Sequence, residues 1–200
     1  MSVSTPLLLE TIRCEGGEAH NLIYHQQRFD KSRKALFGST HAIELSQIVR
    51  PPQKGLYRCR VLYDEAVREV QYIPYTPKEI ITLKVLSSDI SYPYKYADRS
   101  ELDALLRAHE DADEIIIVQK GRVTDTTISN IAFSNGEKWF TPSKPLLQGT
   151  MREKLIDEGF LSPVDIFVEE IYRYKQVALM NAMIGFKIIN PVILTDFIDQ

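Results

Sequence analysis

The sequence has only two cysteines, Cys14 and Cys59, in 200 residues. That is too few for a disulfide framework, and nothing about them resembles a metal pair. It also lacks any apolar run approaching the length of a membrane span and any marked excess of one charge. Twenty-four basic against 27 acidic residues give a formal charge of −3, so there is no electrostatic reason to expect a nucleic-acid or membrane partner. Small anionic metabolites stay open, because a local cluster of arginines can outweigh a mildly negative average. Zinc spacings, a P-loop and a dinucleotide fingerprint are all missing, as are internal repeats and low-complexity segments. The amino-terminal stretch MSVSTPLLLETIRCEGG has a short apolar run with no basic segment before it. It reads as a strand, and a reducing, cytoplasmic setting is expected.

What is there is enough chain for a sizeable core, with roughly 70% of the extended surface buried on folding. Pro6 to Arg13 reads as a strand and EGGEA as a tight turn. Leu22, His25, Phe29, Ser32, Leu36 and Phe37 then recur at helical spacing, with Asn21 as a cap and Gly38 as a stop. A second short helix is expected over Ala42 to Val49. GLYRCRVLYDEAVREVQYIPY reads as a hairpin whose alternation puts Leu56, Arg58, Arg60 and Leu62 on one face. TPKEI marks a boundary, giving a small α/β domain over 1–78 and a larger β-rich domain with two packed helices over 79–200. In the second part ITLKVLSS is a strand, and DRSELDALLRAHEDA is a helix buried through Leu102, Leu105 and Leu106. Three strands joined at Lys120-Gly121 and Asn135-Gly136 follow, with Asn-Gly the strongest hairpin signal. GTMREKLIDEG is a helix with Met151, Leu155 and Ile156 inward, and further strands lie around Val177 to Met180 and Lys187 to Asn190.

Several residues have the chemistry for a site, each with a plainer alternative. Lys95, flanked by Tyr94 and Tyr96, suits an imine with an aldehyde, which requires desolvation or neighbouring positive charge; otherwise it is a surface lysine lying over aromatic rings. Asp125, among strand formers, suits a protonated pyridine nitrogen, or is a turn residue, and Asn130 is equally a capping amide. Gly149, Thr150 and Met151 open a helix whose free N–H groups suit a phosphate, as the start of almost any such helix does. Arg28 suits the same phosphate through a charge-assisted fork, or lies in a charged face. His25 beside it reads as a packed histidine. Arg58 and Arg60 suit a carboxylate, or decorate a surface strand.

In this order, the stretches LLLETIR, NLIYHQQRF, YKYADR, GRVTDTTISNIAF, WFTPSKPLLQGTMR and VALMNAMIGFKIINPV resemble the fold-type IV, or class IV, pyridoxal phosphate enzymes. That family includes branched-chain and D-amino acid aminotransferases and 4-amino-4-deoxychorismate lyase. The resemblance runs from near Leu7 to Val192. It implies an α+β, D-amino acid aminotransferase-like two-domain fold with a shortened N-terminus, a cofactor site between the domains and a homodimer. It also implies that Lys95 is the imine lysine and proton shuttle, that Arg28, Thr150 and Met151 contact the phosphate, and that Asp125 stands where glutamate is usual. Ala182 stands where a serine or threonine often assists the phosphate, with Asn181 as the compensating neighbour. The expected activity is amino-group transfer between an amino acid and a 2-keto acid. The alternatives are aminodeoxychorismate lyase chemistry and a degenerate, non-catalytic binding protein.

Overall fold

The computed structural model describes residues 5–198. The chain forms two compact units, one of Met1–Pro77 with Tyr94–Asp98, the other of Lys78–Pro93 with Arg99–Gln200. A single cut after residue 78 would leave the Lys95 segment with the second part, whereas its contacts group it with the first.

The first unit runs β1 (Leu8–Glu15), β2 (Glu18–Ala19), α1 (Leu22–Phe37), α2 (Leu45–Ile48), β3 (Leu56–Tyr63) and β4 (Val67–Pro74). Its sheet has the order β2-β1-β3-β4 and is antiparallel throughout. Strand alternation puts Leu8, Ile12 and Cys14 on one face with Cys59, Val61 and Tyr63, where they pack with Phe29 of α1 and Leu45 of α2. Burying each large apolar side chain contributes on the order of 2 kcal/mol. The expected face of α1 buries His25, Phe29 and Ser32, and also Arg33, which the apolar pattern did not suggest. Its guanidinium is held by the carbonyls of Glu65 and His41 and the hydroxyl of Ser39. Asn21 precedes the helix in a left-handed conformation and makes no side-chain cap bond, while Gly38 ends it at φ 65°. The second helix is shorter than expected because the chain is already extended at Glu44 and Val49.

The second unit runs β5 (Thr82–Ser87), α3 (Ser100–Arg107), β6 (Glu114–Gln119), β7 (Arg122–Thr126), β8 (Asn130–Ser134), β9 (Trp139–Pro142), α4 (Thr150–Asp157) and β10 (Leu161–Val164). A 3-10 turn (Val168–Arg173), β11 (Gln176–Asn181), β12 (Gly185–Ile189) and β13 (Ile193–Ile198) complete it. Its two sheets have the orders β13-β5-β6-β7 and β10-β9-β8-β11-β12. Leu83, Val85, Ile116 and Val118 from the first sheet share a core with Ile131, Phe133, Val177 and Leu179 from the second. The Lys120-Gly121 turn carries positive φ at both residues, the pairing a tight two-residue hairpin needs. The Asn135-Gly136 turn leads into β9, so four strands stand where three were expected. On α4, Met151, Leu155 and Ile156 pack against Ala132, Leu161, Ala178 and Met180. The helix residues buried most completely are polar ones, Thr150 and Arg152. Among the described residues no helix is long and apolar enough to cross a membrane.

Candidate functional site

In the first unit Lys95 lies on a segment that extends the sheet. Its carbonyl accepts the N–H of Leu9 at 2.9 Å, Ala97 donates to Leu7 O at 2.8 Å, and Leu8 and Tyr96 form an antiparallel bridge. Tyr94 and Tyr96 meet edge to face at 6.1 Å and pack on the apolar core, so the lysine backbone is anchored on both sides.

On the core face of the same sheet, Glu10 is fully buried among three donors. Arg28 reaches it with Nε at 2.9 Å and Nη2 at 2.6 Å, and His25 Nδ1 lies 2.6 Å from Oε2. Burial alone would push this carboxyl up, but the Arg28 charge and the bonds from His25 and Arg28 outweigh it and hold the pKa at about 2. An ionised carboxylate only accepts, so the histidine proton sits on Nδ1. Burial is the largest influence on His25 and lowers its pKa, with Arg28 and Lys95 adding repulsion against the pull of Glu10; it is a neutral, packed residue, as its spacing suggested. Arg28 is not an exposed arginine in a charged face: its side chain is 12% exposed and forked onto Glu10. Sequence reasoning missed Glu10, although an acid at an inward position of an apolar strand was a signal that it had a buried cation to meet.

Arg58 and Arg60 occupy the sheet's other face, as the alternation required. Arg58 stands directly across from Arg13, and Arg60 across from Thr11. Arg60 donates to Gln71 at 3.1 Å and Arg13 to Glu15 at 2.6 Å. The Nε of Arg58 is buried without a hydrogen-bond partner among the described residues. Like charges opposed across strands are destabilising, so this face suits an anion.

In the second unit Asp125, Asn130 and the start of α4 come together. Asn130 Nδ2 donates to Asp125 Oδ1 at 2.6 Å and to Leu147 O at 2.9 Å, and Leu147 N donates to Asp125 Oδ2 at 2.9 Å. Burial dominates at Asp125 and pushes its pKa up to about 7, against the opposite pull of these donors and of Arg152. The carboxylate has no ion-pair partner among the described residues. Gly149 precedes α4 in an extended conformation, and a Cβ there would lie 1.9 Å from Asn130 Oδ1. Only glycine allows this approach. α4 begins at Thr150, so the Thr150 and Met151 N–H groups belong to the first turn, ahead of the helix's own hydrogen-bond ladder.

Asn181 ends β11 and Ala182 opens the turn that follows it. The Asn181 carbonyl oxygen accepts from Met183 and Ile184, and its amide donates to Ser129 Oγ at 2.9 Å. Its side chain therefore shapes the turn. A separate cavity of about 470 Å³ is lined by Ser91, Tyr92, Lys120, Arg122, Lys144 and Asp165 among others, and by none of Asp125, Asn130 or Gly149.

The second-unit cluster fits a phosphorylated pyridine aldehyde at two points. A buried carboxyl that makes no ion pair among the described residues suits a pyridinium N–H, and a glycine-opened helix start suits a phosphate.

The Amino-transferase class IV profile matches residues 7–190. An uncharacterised protein of Haemophilus influenzae is 38% identical over 184 residues, covering 89% of this chain and 98% of that one. A crystal structure from Haemophilus somnus, described as a "putative 4-amino-4-deoxychorismate lyase", is 37% identical. It covers 92% of this chain and 100% of its own, with a TM-score of 0.84. A hypothetical aminotransferase from Mycobacterium tuberculosis in its PLP-bound form is 18% identical, covers 96% of this chain and 82% of its own, and has a TM-score of 0.75; at that identity the likeness is one of fold. The chain belongs to the class IV aminotransferase family, a family of pyridoxal phosphate enzymes that takes in both aminotransferases and lyases.

Proposed function

We propose that this chain is a pyridoxal-phosphate-dependent 4-amino-4-deoxychorismate lyase, releasing pyruvate and 4-aminobenzoate. The observation that carries this choice within the family is the 37% identity, over all of that protein's length, to the Haemophilus somnus structure so described. The face bearing Arg13, Arg58 and Arg60 supports it, because the substrate carries two carboxylates. The second reading is amino-group transfer between an amino acid and a 2-keto acid, favoured by the family profile itself. A homodimer and a cytoplasmic setting go with either.

Under this reading Lys95 holds the cofactor aldehyde, and Arg28, oriented by Glu10, holds its phosphate together with the Thr150 and Met151 N–H groups. Asp125 accepts a hydrogen bond from the ring nitrogen. A cation beside a buried carboxyl lowers its pKa, so the ligand would draw Asp125, whose pKa burial raises, into the ionised form. When bound, the cofactor supplies a sink for the electron pair left as a proton departs from the carbon bearing the substrate amine. The freed Lys95 amine takes that proton. In the lyase reading the ring C–O bond then breaks with its electrons going to oxygen, and the Lys95 ammonium supplies a proton to the departing enolpyruvyl group. In the transfer reading the Lys95 ammonium would give that proton back on the cofactor side instead of to a leaving group. Arg58 and Arg60 hold a substrate carboxylate in both.

The test is to mix loaded protein with aminodeoxychorismate, and separately with a panel of amino acids followed by pyruvate. Release of 4-aminobenzoate and pyruvate without an amino acceptor supports the lyase. Conversion to the pyridoxamine form supports transfer. Protein that stays colourless with pyridoxal phosphate overturns both and leaves a binding module.

A further inference from the structure

The chain between Asp125 and Asn130 is a closed turn. Thr126 reaches Ser129 O with its N–H at 2.8 Å and its hydroxyl at 3.1 Å, and Ser129 N–H returns to Thr126 Oγ1 at 3.0 Å. The middle of this turn is gripped from two sides. Glu114, at the start of β6, accepts through one oxygen, Oε1, from Thr127 N–H at 3.1 Å, from the Thr127 hydroxyl, and from Ile115 N–H at 2.9 Å. Arg99, at the head of α3, donates Nη2 to Thr127 O at 2.9 Å. Both backbone polar groups of Thr127 and its side chain are thereby fixed.

Glu114 is fully buried, and its Oε2 has no partner among the described residues. A buried acid costs stability unless it is well bonded, and closing a turn alone does not require one. Only donors converge on it, so it works as an acceptor. Burial pushes its pKa up, with the Thr127 and Ile115 bonds and the Arg99 charge opposing.

We propose that Glu114 and Arg99 are positioning residues: by clamping Thr127 they set the height of the turn, and so where the Asp125 carboxylate stands relative to the cofactor's ring nitrogen. The need is sharper here than with glutamate, because aspartate is one methylene shorter and its side chain has less reach to absorb a backbone error. A hydrogen bond tolerates only a few tenths of an ångström before it weakens. The inference rests on the assignment of Asp125 to the pyridine nitrogen.

The experiment measures dissociation constants of the full-length apo-protein for pyridoxal phosphate and for its 1-deaza analogue, which has C–H in place of the ring nitrogen. A positioning role predicts that Glu114→Ala weakens pyridoxal phosphate about tenfold or more and the analogue less than about threefold, as expected for loss of one charge-assisted hydrogen bond. Glu114→Gln keeps an acceptor at Oε1 and should restore most of the affinity. If Glu114→Ala does not fold, Thr127→Val, which keeps the N–H bond and loses the hydroxyl, should give the same contrast on a smaller scale. Equal losses for both ligands, or none for either, would overturn the proposal. Asp125→Ala separates the two levels. If it discriminates between the ligands while the Glu114 and Thr127 variants do not, the positioning role alone falls; if it does not discriminate, the ring-nitrogen assignment falls and the positioning role with it.

Discussion

Replacing Glu10 by glutamine removes the charge that Arg28 is buried against and leaves the neighbours almost isosteric. Arg28 then has a largely buried guanidinium with no counter-charge at Glu10, a situation that costs about 3–5 kcal/mol when one partner of a buried pair is lost. The native pair also has a pH signature. Lowering a carboxyl from 4.5 to about 2 corresponds to about 3 kcal/mol of folding free energy. Because the folded value lies below the unfolded one, this contribution is complete above pH 4.5 and is lost as the pH falls towards 2. His25, also lowered from its ordinary 6.5, acts in the same direction: the unfolded chain takes up its proton first, so stability declines as the pH drops below 6.5. Urea unfolding of wild type and Glu10→Gln, followed by circular dichroism at intervals from pH 7 to pH 3, should show a large gap at neutral pH that narrows steadily in acid. A gap below about 1 kcal/mol at pH 7, the scale of an exposed ion pair, or a gap independent of pH, would refute the reasoning. The same variant should weaken pyridoxal phosphate, since Arg28 loses the fork that aims it.

Gly149→Ala places a methyl within 1.9 Å of Asn130 Oδ1 and should lower cofactor affinity about tenfold or more by displacing an amide that two bonds hold; unchanged affinity in a binding titration counts against the cradle. Asp125 is raised from 3.8 to about 7, so its ionisation costs the ligand-free protein stability as the pH climbs through that window. Asp125→Asn should therefore be less damaging to the apo-protein at pH 8 than at pH 5 in urea unfolding, and a pH-independent difference would contradict the burial argument. Arg60→Lys and Arg58→Lys should raise KM for a carboxylate substrate about tenfold while leaving the cofactor spectrum alone, since lysine cannot form the planar fork. An altered spectrum with normal KM would move those arginines out of the substrate role.

The elements were legible where one face is buried and the period is clean. β1, α1 and the β3–β4 hairpin follow from the spacing of Leu8, Ile12, Phe29, Cys59 and Val61, and Arg58 and Arg60 share the face that alternation gave them. What periodicity could not reveal were polar groups buried in pairs. Glu10, Arg33, Glu114 and Arg152 are charged residues at core positions, held by polar groups that an apolar period does not register: Arg28 and His25 for Glu10, the oxygens of Ser39, His41 and Glu65 for Arg33, Thr127 and Ile115 for Glu114, and Pro142 O and Glu153 for Arg152. The place of Tyr94–Asp98 in the first unit was equally hidden, because backbone bonds to Leu7 and Leu9 leave no trace in composition. Resemblance supplied the family and the roles of the candidate residues, which side-chain chemistry alone had left beside plainer alternatives. It put amino-group transfer first, and the 37% identity to a structure described as a lyase is what shifts the proposal.

The most direct measurement is borohydride reduction of protein loaded with pyridoxal phosphate, followed by proteolysis and mass spectrometry. The account predicts one covalently labelled peptide, carrying the cofactor on Lys95, and no label in Lys95→Ala. Label on a different lysine, or a loaded wild-type protein that yields none, would contradict it.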